Sequence, residues 1–360
     1  MNFALPPGWR QKLTLRWPPG RKEYIVAAVV VVSGAGGASW LILHHTSAPA
    51  THVQKIAKPA APKTVASNLT GLQVDPAVNL RPVTAVMIEN SQDARPQSGL
   101  SEAGVVFEAI AEGGITRFLA LFQDNIPGNV GPIRSARPYY VQWALGFDAG
   151  YAHVGGSPEA LADVKAWGVK DLDQFANAGA YHRVGSRPAP HNVYTGIPNL
   201  NQLEANKGYV NSTYTGFARK PRELPVRTPP TAKSINFNIS GALYNVHYDY
   251  DAAANSYARS EAGGPHIDAN TNLQIKPKVV IALIMSYGLE ADDHHSAYGT
   301  IGNGQAFIFQ NGKVTVGGWA KTANNVQFTF TDETGKPLLL IPGQTWLTAL
   351  GSAPSVSYAP

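Results

Sequence analysis

Cysteine is absent from this chain. No disulfide framework, thiol nucleophile, cysteine zinc site or iron–sulfur cluster is open to it, and neither is an anchor on a lipidated cysteine. The absence leaves the compartment open, because many extracytoplasmic proteins lack cysteine. Charge is scarce as well: 15% of residues are charged and 44% are hydrophobic. The surface must therefore be covered by uncharged polar side chains. G-x-S-x-G, P-loop, H-E-x-x-H and dinucleotide-binding fingerprints are all missing, and the chain has no repeats. What it has in quantity is glycine and proline, 35 and 27 of 360 residues. That balance favours turn-rich β structure over a helical bundle. The length allows about two domains.

The net charge of +5 is local. Residues 1–23 carry +4, residues 44–80 carry +2, and the remaining 81–360 carry −1. The globular part is near neutral, so the charge gives no argument for a nucleic-acid partner.

Residues 24–43 (YIVAAVVVVSGAGGASWLIL) hold no charge. Twenty helical residues span a hydrocarbon layer of about 30 Å. Arg10, Lys12, Arg16, Arg21 and Lys22 precede the run, and the next basic residue after it is Lys55. The positive-inside rule then places the N-terminus in the cytoplasm and the rest outside. A cleaved signal peptide is the alternative, but the run is long for one and Ala48-Pro49-Ala50 fits a cleavage site poorly. We therefore expect an uncleaved single-pass anchor in the cell membrane.

The expected organisation is a basic cytoplasmic tail (1–23), the anchor (24–43) and a Pro/Ala-rich stalk (44–80). An α/β domain (81–222), a connector (223–239) and a β-rich domain (240–350) follow. The fold class is α+β, with the second domain mainly antiparallel. PVTAVMIE (82–89) reads as a strand, and 104–112 with 115–123 reads as a hairpin around Gly113-Gly114. Ser157-Pro158-Glu159 carries the signature of a helix start. Asn311-Gly312 marks a second hairpin.

Arg134, Ser135 and Arg137 follow a Gly-Pro turn and precede an expected helix at Tyr139–Leu145. Guanidinium forks beside a helix N-terminus suit phosphate or carboxylate; structural ion pairing is the alternative use of the same residues. Arg117 lies on the hairpin arm among apolar neighbours. His153 ends a strand beside a glycine loop and the Ser157 helix start, where ligands of open α/β sheets gather; a core histidine is the plainer reading. Arg187, His191 and Asn192 belong to a proline-stiffened loop that either lines a cleft or is simply solvated. Glu89, Glu108 and Glu112 are the acidic candidates, the last two sharing a face if the strand is regular. Asp292-Asp293-His294-His295 looks metal-like, but adjacent residues point apart and no second ligand cluster stands out. We expect no metal and no cofactor.

VMIENSQDARPQSGLSEAGVVFEAIAEGGITRFLALFQ, then VGPIRSARPYY, HVGGSPEAL, PHNVYT and PGQTW closely resemble the YerB-like family of bacterial envelope lipoproteins, over roughly residues 80–350. That family is a two-part domain of unknown function, and the resemblance implies an extracytoplasmic location and no settled reaction. Arg95, inside the first motif, joins the candidate ligand-binding residues. The departure is the anchor, a hydrophobic run in place of a lipidated cysteine. A weaker likeness in rhythm is to the LytR–CpsA–Psr phosphotransferases, which implies a phosphate-binding role for Arg134. Ser135 and Ile115-Thr116-Arg117 stand where that family has aspartates for magnesium and the nucleophile.

Three functions remain open. The first is an envelope module that binds an anionic cell-wall glycan, a polyprenyl phosphate or a wall-synthesis protein. The second is an enzyme on lipid-linked phosphates or glycans, with Glu89, Glu112 or His153 as acid or base. The third is a scaffold acting through the β domain.

Overall fold

Stretches of β-branched and aromatic residues, cut by glycine turns, make strands the commonest regular structure among the described residues. The computed structural model describes residues 63–223 and 228–360. The 24–43 run, the tail before it and the segment up to residue 62 lie outside the described residues. Among the described residues no helix is long and apolar enough to cross a membrane.

Along the chain come β1 (Thr84–Glu89), β2 (Val105–Glu112), β3 (Ile115–Phe122), β4 (Gly150–Ala152) and β5 (Lys170–Asp171). Next are β6 (Ser234–Phe237), β7 (Val246–Asp251), β8 (Ser256–Glu261) and β9 (Gly264–Pro265). They are followed by β10 (Val279–Ile284), β11 (Gly302–Gln310), β12 (Lys313–Lys321), β13 (Thr329–Thr331), β14 (Thr345–Leu350) and β15 (Val356–Ala359). The helices are α1 (Pro138–Leu145), α2 (Pro158–Ala166) and α3 (Ile197–Asn206).

Ten of these strands form one sheet, in the order β13-β12-β11-β10-β14-β2-β3-β1-β4-β5. Five form a second, in the order β9-β8-β7-β6-β15. In the large sheet β14 lies parallel to both β10 and β2, and β4 lies parallel to β1 and β5. Its other pairs are antiparallel. The fold is mostly β and of α+β character, and the three α-helices of the described residues all precede β6.

The turn chemistry acts as its residues dictate. Gly113 and Gly114 close the β2–β3 hairpin at φ 55° and 80°, and Asn311 and Gly312 close β11–β12 at 57° and 66°. Ser157 caps α2 by accepting from the Ala160 N–H at 3.3 Å, with Pro158 in the first turn.

The expected boundaries change in three ways. Residues 65–80 are folded rather than stalk: Leu69 is fully buried, and Val65–Ala66 pairs with Gln73–Val74. The segment read as a connector contains β6, which is paired on both sides by β7 and β15. The split between two domains does not split the sheet. All six residues of β14 are buried, and this strand from the second half lies between β2 of the first and β10 of its own. TWLTAL has no polar face to give to solvent, so it needs cover on both faces and a partner on each edge. Residues 60–360 accordingly form one compact unit.

Candidate functional site

The C-terminal ends of the parallel strands β1 and β4 lie side by side, and the segment from Val130 to Arg137 crosses them. The Glu89 N–H donates to Pro132 O (2.8 Å), the Arg134 N–H to Met87 O (3.0 Å) and the Val154 N–H to Arg134 O (3.1 Å). These bonds fix Arg134, Ser135 and Arg137 over the end of the sheet. Glu89 and Arg117 are direct cross-strand partners on β1 and β3. Glu89, Arg117, Arg134, Ser135, Arg137 and Glu112 thus converge on one corner.

The corner divides into two charge groups. In the first, Glu112 accepts from Arg117 and Arg137 through separate oxygens. Arg117 also donates to Ser135 O at 2.9 Å, and Arg137, at the N-terminus of α1, donates to Ala136 O at 2.6 Å. Both guanidinium groups are buried, with side chains 4% and 3% exposed. Burial works against ionisation of Glu112, yet the two arginines outweigh it and its pKa falls below the usual carboxylate value. Burial, then repulsion from Arg137, pulls Arg117 down to about 10.

A β-bulge creates this group. The register of β2 against β3 shifts between Ile110 and Glu112, so Glu108 and Glu112 do not share a face. Glu112 turns to Arg117, while Glu108 turns to the opposite core.

The second group surrounds Glu89, which is 2% exposed. Its Oε1 accepts from the Ser91 hydroxyl (2.8 Å), meets His191 Nδ1 at 2.8 Å and lies 3.2 Å from Arg134 Nε. Its Oε2 is buried without a hydrogen-bond partner. The Arg134 side chain is 24% exposed and, among the described residues, donates no hydrogen bond. Arg187 holds the neighbouring loop by donating to Asp93 O and Pro96 O. Asn192 accepts from Arg183 at 2.7 Å, away from the corner.

His153 and Ser157 are placed as framework. His153 is fully buried; Nδ1 lies 2.8 Å from Gly155 O and Nε2 lies 3.1 Å from Asp171. Ser157, besides capping α2, donates to Glu290 at 3.1 Å. Glu290, Asp292 and His295 bring their ligand atoms within 4.8 Å of one another, the one such group among the described residues. The Asp292 carboxylate is already engaged by the His294 and His295 N–H groups and by His295 Nδ1.

Arg95 belongs to another site, one that sequence reasoning missed. It donates to Asn90 Oδ1 (3.1 Å), Asn90 O (3.0 Å) and Leu243 O (2.8 Å), and lies 3.4 Å from Glu261. Behind it is a buried network between the two sheets. Arg259, fully buried on β8, places one nitrogen at 3.0 and 2.8 Å from the two Glu108 oxygens. Its other nitrogens reach His266 and the Tyr248 hydroxyl. His266 Nε2 meets Gln97 at 2.9 Å, and Asn90 donates to Glu261 at 2.6 Å. Burial and Arg259 push His266 well below its ordinary value, whereas Glu108 and Glu261 overcome burial to hold Arg259 above its own. Arg95, Glu261, His266, Pro96 and Ile267 line a cavity of about 410 Å³ beside this network. One signal in the sequence pointed to it: alternation along SYARSE puts Arg259 and Glu261 on the same face as Tyr257.

Two family models match this chain, the N-terminal and C-terminal domains of a protein family of unknown function, DUF3048, over residues 69–210 and 235–347. The chain belongs to this family. A Bacillus subtilis (strain 168) relative, named "Putative lipoprotein YerB", is 33% identical over 302 residues, covering 82% of this chain and 88% of its own. The crystal structure of the YerB protein from Bacillus subtilis is similar in fold, with a TM-score of 0.74 and 30% identity. That match covers 82% of this chain and all of the other. In DUF3048 terms, the large sheet joins the two matched regions: β14 of the second region pairs with β2 of the first.

Proposed function

We propose that this DUF3048 protein is an extracytoplasmic envelope protein, held at the cell membrane by residues 24–43, that binds an anionic group of a cell-wall ligand at Arg134. One observation carries the reading. Of the three arginines brought to the corner, Arg117 and Arg137 are consumed by Glu112, and Arg134 alone keeps a partly exposed guanidinium without a hydrogen bond. A planar fork at the C-terminal end of parallel strands suits phosphate or carboxylate. The Bacillus relative is named a lipoprotein. This chain has no cysteine to lipidate, so its uncharged run takes the role of tether.

A second reading is catalytic. Glu89 keeps an unpartnered oxygen beside His191 and Ser91, the residue types that move protons during group transfer. Calorimetric titration of the full chain in nanodiscs with a soluble polyprenyl-pyrophosphate analogue separates the readings. Binding that Arg134→Ala abolishes supports the anion site, and turnover or a magnesium requirement favours the catalytic reading. If the analogue does not bind, the phosphate reading fails, and a wall-synthesis protein becomes the partner to seek by pull-down.

A further inference from the structure

One pocket of the molecule is acidic and aromatic at once. It measures about 200 Å³ and lies between α1, α2 and the short hairpin that pairs Tyr287–Leu289 with Ser296–Tyr298. Glu159 and Asp163 reach it from α2, Glu290 reaches it from the hairpin, and Tyr139, Trp167 and Tyr298 wall it. Both DUF3048 regions therefore contribute to it. Steps of four put Glu159, Asp163 and Trp167 on one side of α2 and its C-cap. The two tyrosines are held by one residue of β2. The Tyr139 hydroxyl donates to Ile110 O at 2.6 Å, and the Ile110 N–H donates to the Tyr298 hydroxyl at 3.3 Å. The remaining polar side chain of the lining is Gln142, whose carbonyl already accepts from Thr300.

Glu290 is 7% exposed. Its Oε1 accepts from Ser157, whereas its Oε2 has no hydrogen bond among the described residues and, unlike Glu89 Oε2, is not sealed from solvent. Among the described residues no lysine, arginine or histidine pairs with Glu159, Asp163 or Glu290. The two basic groups that act on Glu290, His295 and Arg137, are already paired with Asp292 and Glu112. Burial and then Glu159 raise Asp163 above the usual carboxylate value, and burial, with Glu159 adding to it, raises Glu290. The pocket thus holds carboxylates that lack a cation. They do not gather within 4.8 Å of one another as Glu290, Asp292 and His295 do, so one metal ion does not bridge them. Several acceptors call for a cation with several N–H donors, and aromatic walls attract both its charge and its methylenes. A phosphate beside that cation, as in a lipid headgroup, would be repelled. The volume is below the roughly 300–1,000 Å³ that encloses a whole small ligand, and so fits the end of a longer molecule.

We propose that this pocket takes the primary ammonium end of a lysine-type side chain, its N–H groups donating to Glu290, Glu159 and Asp163 and its methylenes lying against Trp167 and the two tyrosines. The inference is independent of Arg134 and of the tether. The full chain in uncharged maltoside micelles is titrated at low salt with Nα-acetyl-lysine N-methylamide and followed by ligand-observed NMR. Its Nε-acetyl and Nε-trimethyl forms and cadaverine are titrated alongside. The lysine amide is expected to bind, the Nε-acetyl form not to bind, and the trimethyl form to bind several-fold more weakly. Glu290→Gln should weaken the lysine amide by about tenfold, the worth of one charge-assisted hydrogen bond. Glu159→Gln combined with Asp163→Asn should do at least as much, and these two less buried positions keep the test open if Glu290→Gln fails to fold. Absence of binding, equal binding of the Nε-acetyl or trimethyl form, or binding unchanged in the double variant overturns the inference. Cadaverine binding without binding of the lysine amide makes a free diamine the occupant and overturns the side-chain assignment.

Discussion

The Arg259 network and the Arg134 corner use the same residue types to opposite ends. At Arg259 every nitrogen of the guanidinium has a partner, and Glu108 takes further bonds from Thr116 and Trp346. At the corner, Glu89 Oε2, Arg134 Nε and Arg137 Nε all lack hydrogen bonds. The Arg259 network is closer to saturation, with Glu261 Oε2 its one buried side-chain atom without a hydrogen bond, and its work is to join two sheets. An unsaturated group at a strand end keeps donors and an acceptor for something else. Charge alone therefore does not mark a site in this molecule; the distinction is whether the hydrogen-bonding capacity has been used up.

The largest effect that tests this contrast is at Arg259. Arg259→Met leaves Glu108 buried without its cation and Glu261 with Arg95 alone, an expected loss of about 3–5 kcal/mol in urea unfolding. Glu108→Leu combined with Arg259→Met removes both charges and should recover part of that loss. An unrecovered loss would mean that the pair does more than neutralise itself.

Glu204 on α3 sharpens the comparison, because it is a buried carboxyl with no arginine. It is 0% exposed, and the Thr84 hydroxyl donates to it at 3.1 Å. Burial raises it to about 8. The folded state then holds a proton that the unfolded chain releases near its ordinary value. Stability is full below that ordinary value, at pH about 4.5, and falls as pH rises to about 8, by on the order of 1.4 kcal/mol per pH unit. Glu204→Gln should remove this slope from unfolding curves measured across that range.

Glu112→Gln is expected to cost about 2 kcal/mol, since two buried arginines lose their shared carboxylate. Because the Glu112 pKa is depressed in the fold, its contribution is present above the ordinary carboxylate value and fades on acidification. Thermal unfolding of the variant should therefore converge with that of the parent at low pH. The smallest expected change is that of Arg134→Ala, about 1 kcal/mol, because the partly exposed side chain makes no hydrogen bond and Glu89 Oε1 keeps Ser91 and His191 when the ion pair at 3.2 Å is lost. If it destabilises as much as Glu112→Gln, Arg134 is framework and the corner loses its claim to be a site.

The local grammar of the fold was legible in the sequence. Gly113-Gly114 and Asn311-Gly312 named their hairpins, and Ser157-Pro158 named the start of α2. α3 was missed because IPNLNQLEAN is poor in helix formers and holds its place through Ile197, Leu200 and Glu204 packed against the sheet. The candidacy of Glu89, Arg117, Arg134 and Arg137 followed from residue type and local pattern, and their gathering from the Val130–Arg137 segment that crosses the strand ends. Which of them would be spent on one another did not, because that turned on a single bulged residue before Glu112. The long-range pairing of β14 with β2 was equally hidden, since a buried six-residue strand carries no mark of its neighbours.

That pairing bears on how the molecule comes into being. β14 is synthesised after the nine other strands of the large sheet, yet it occupies the middle of that sheet. Until it arrives, β2 and β10 each present an open, hydrophobic edge, the kind that joins the wrong partner. The protein therefore cannot mature half by half during synthesis. It must be kept apart from its neighbours until β14 has emerged, and a chain cut before residue 345 is a candidate for aggregation rather than a smaller version of the fold.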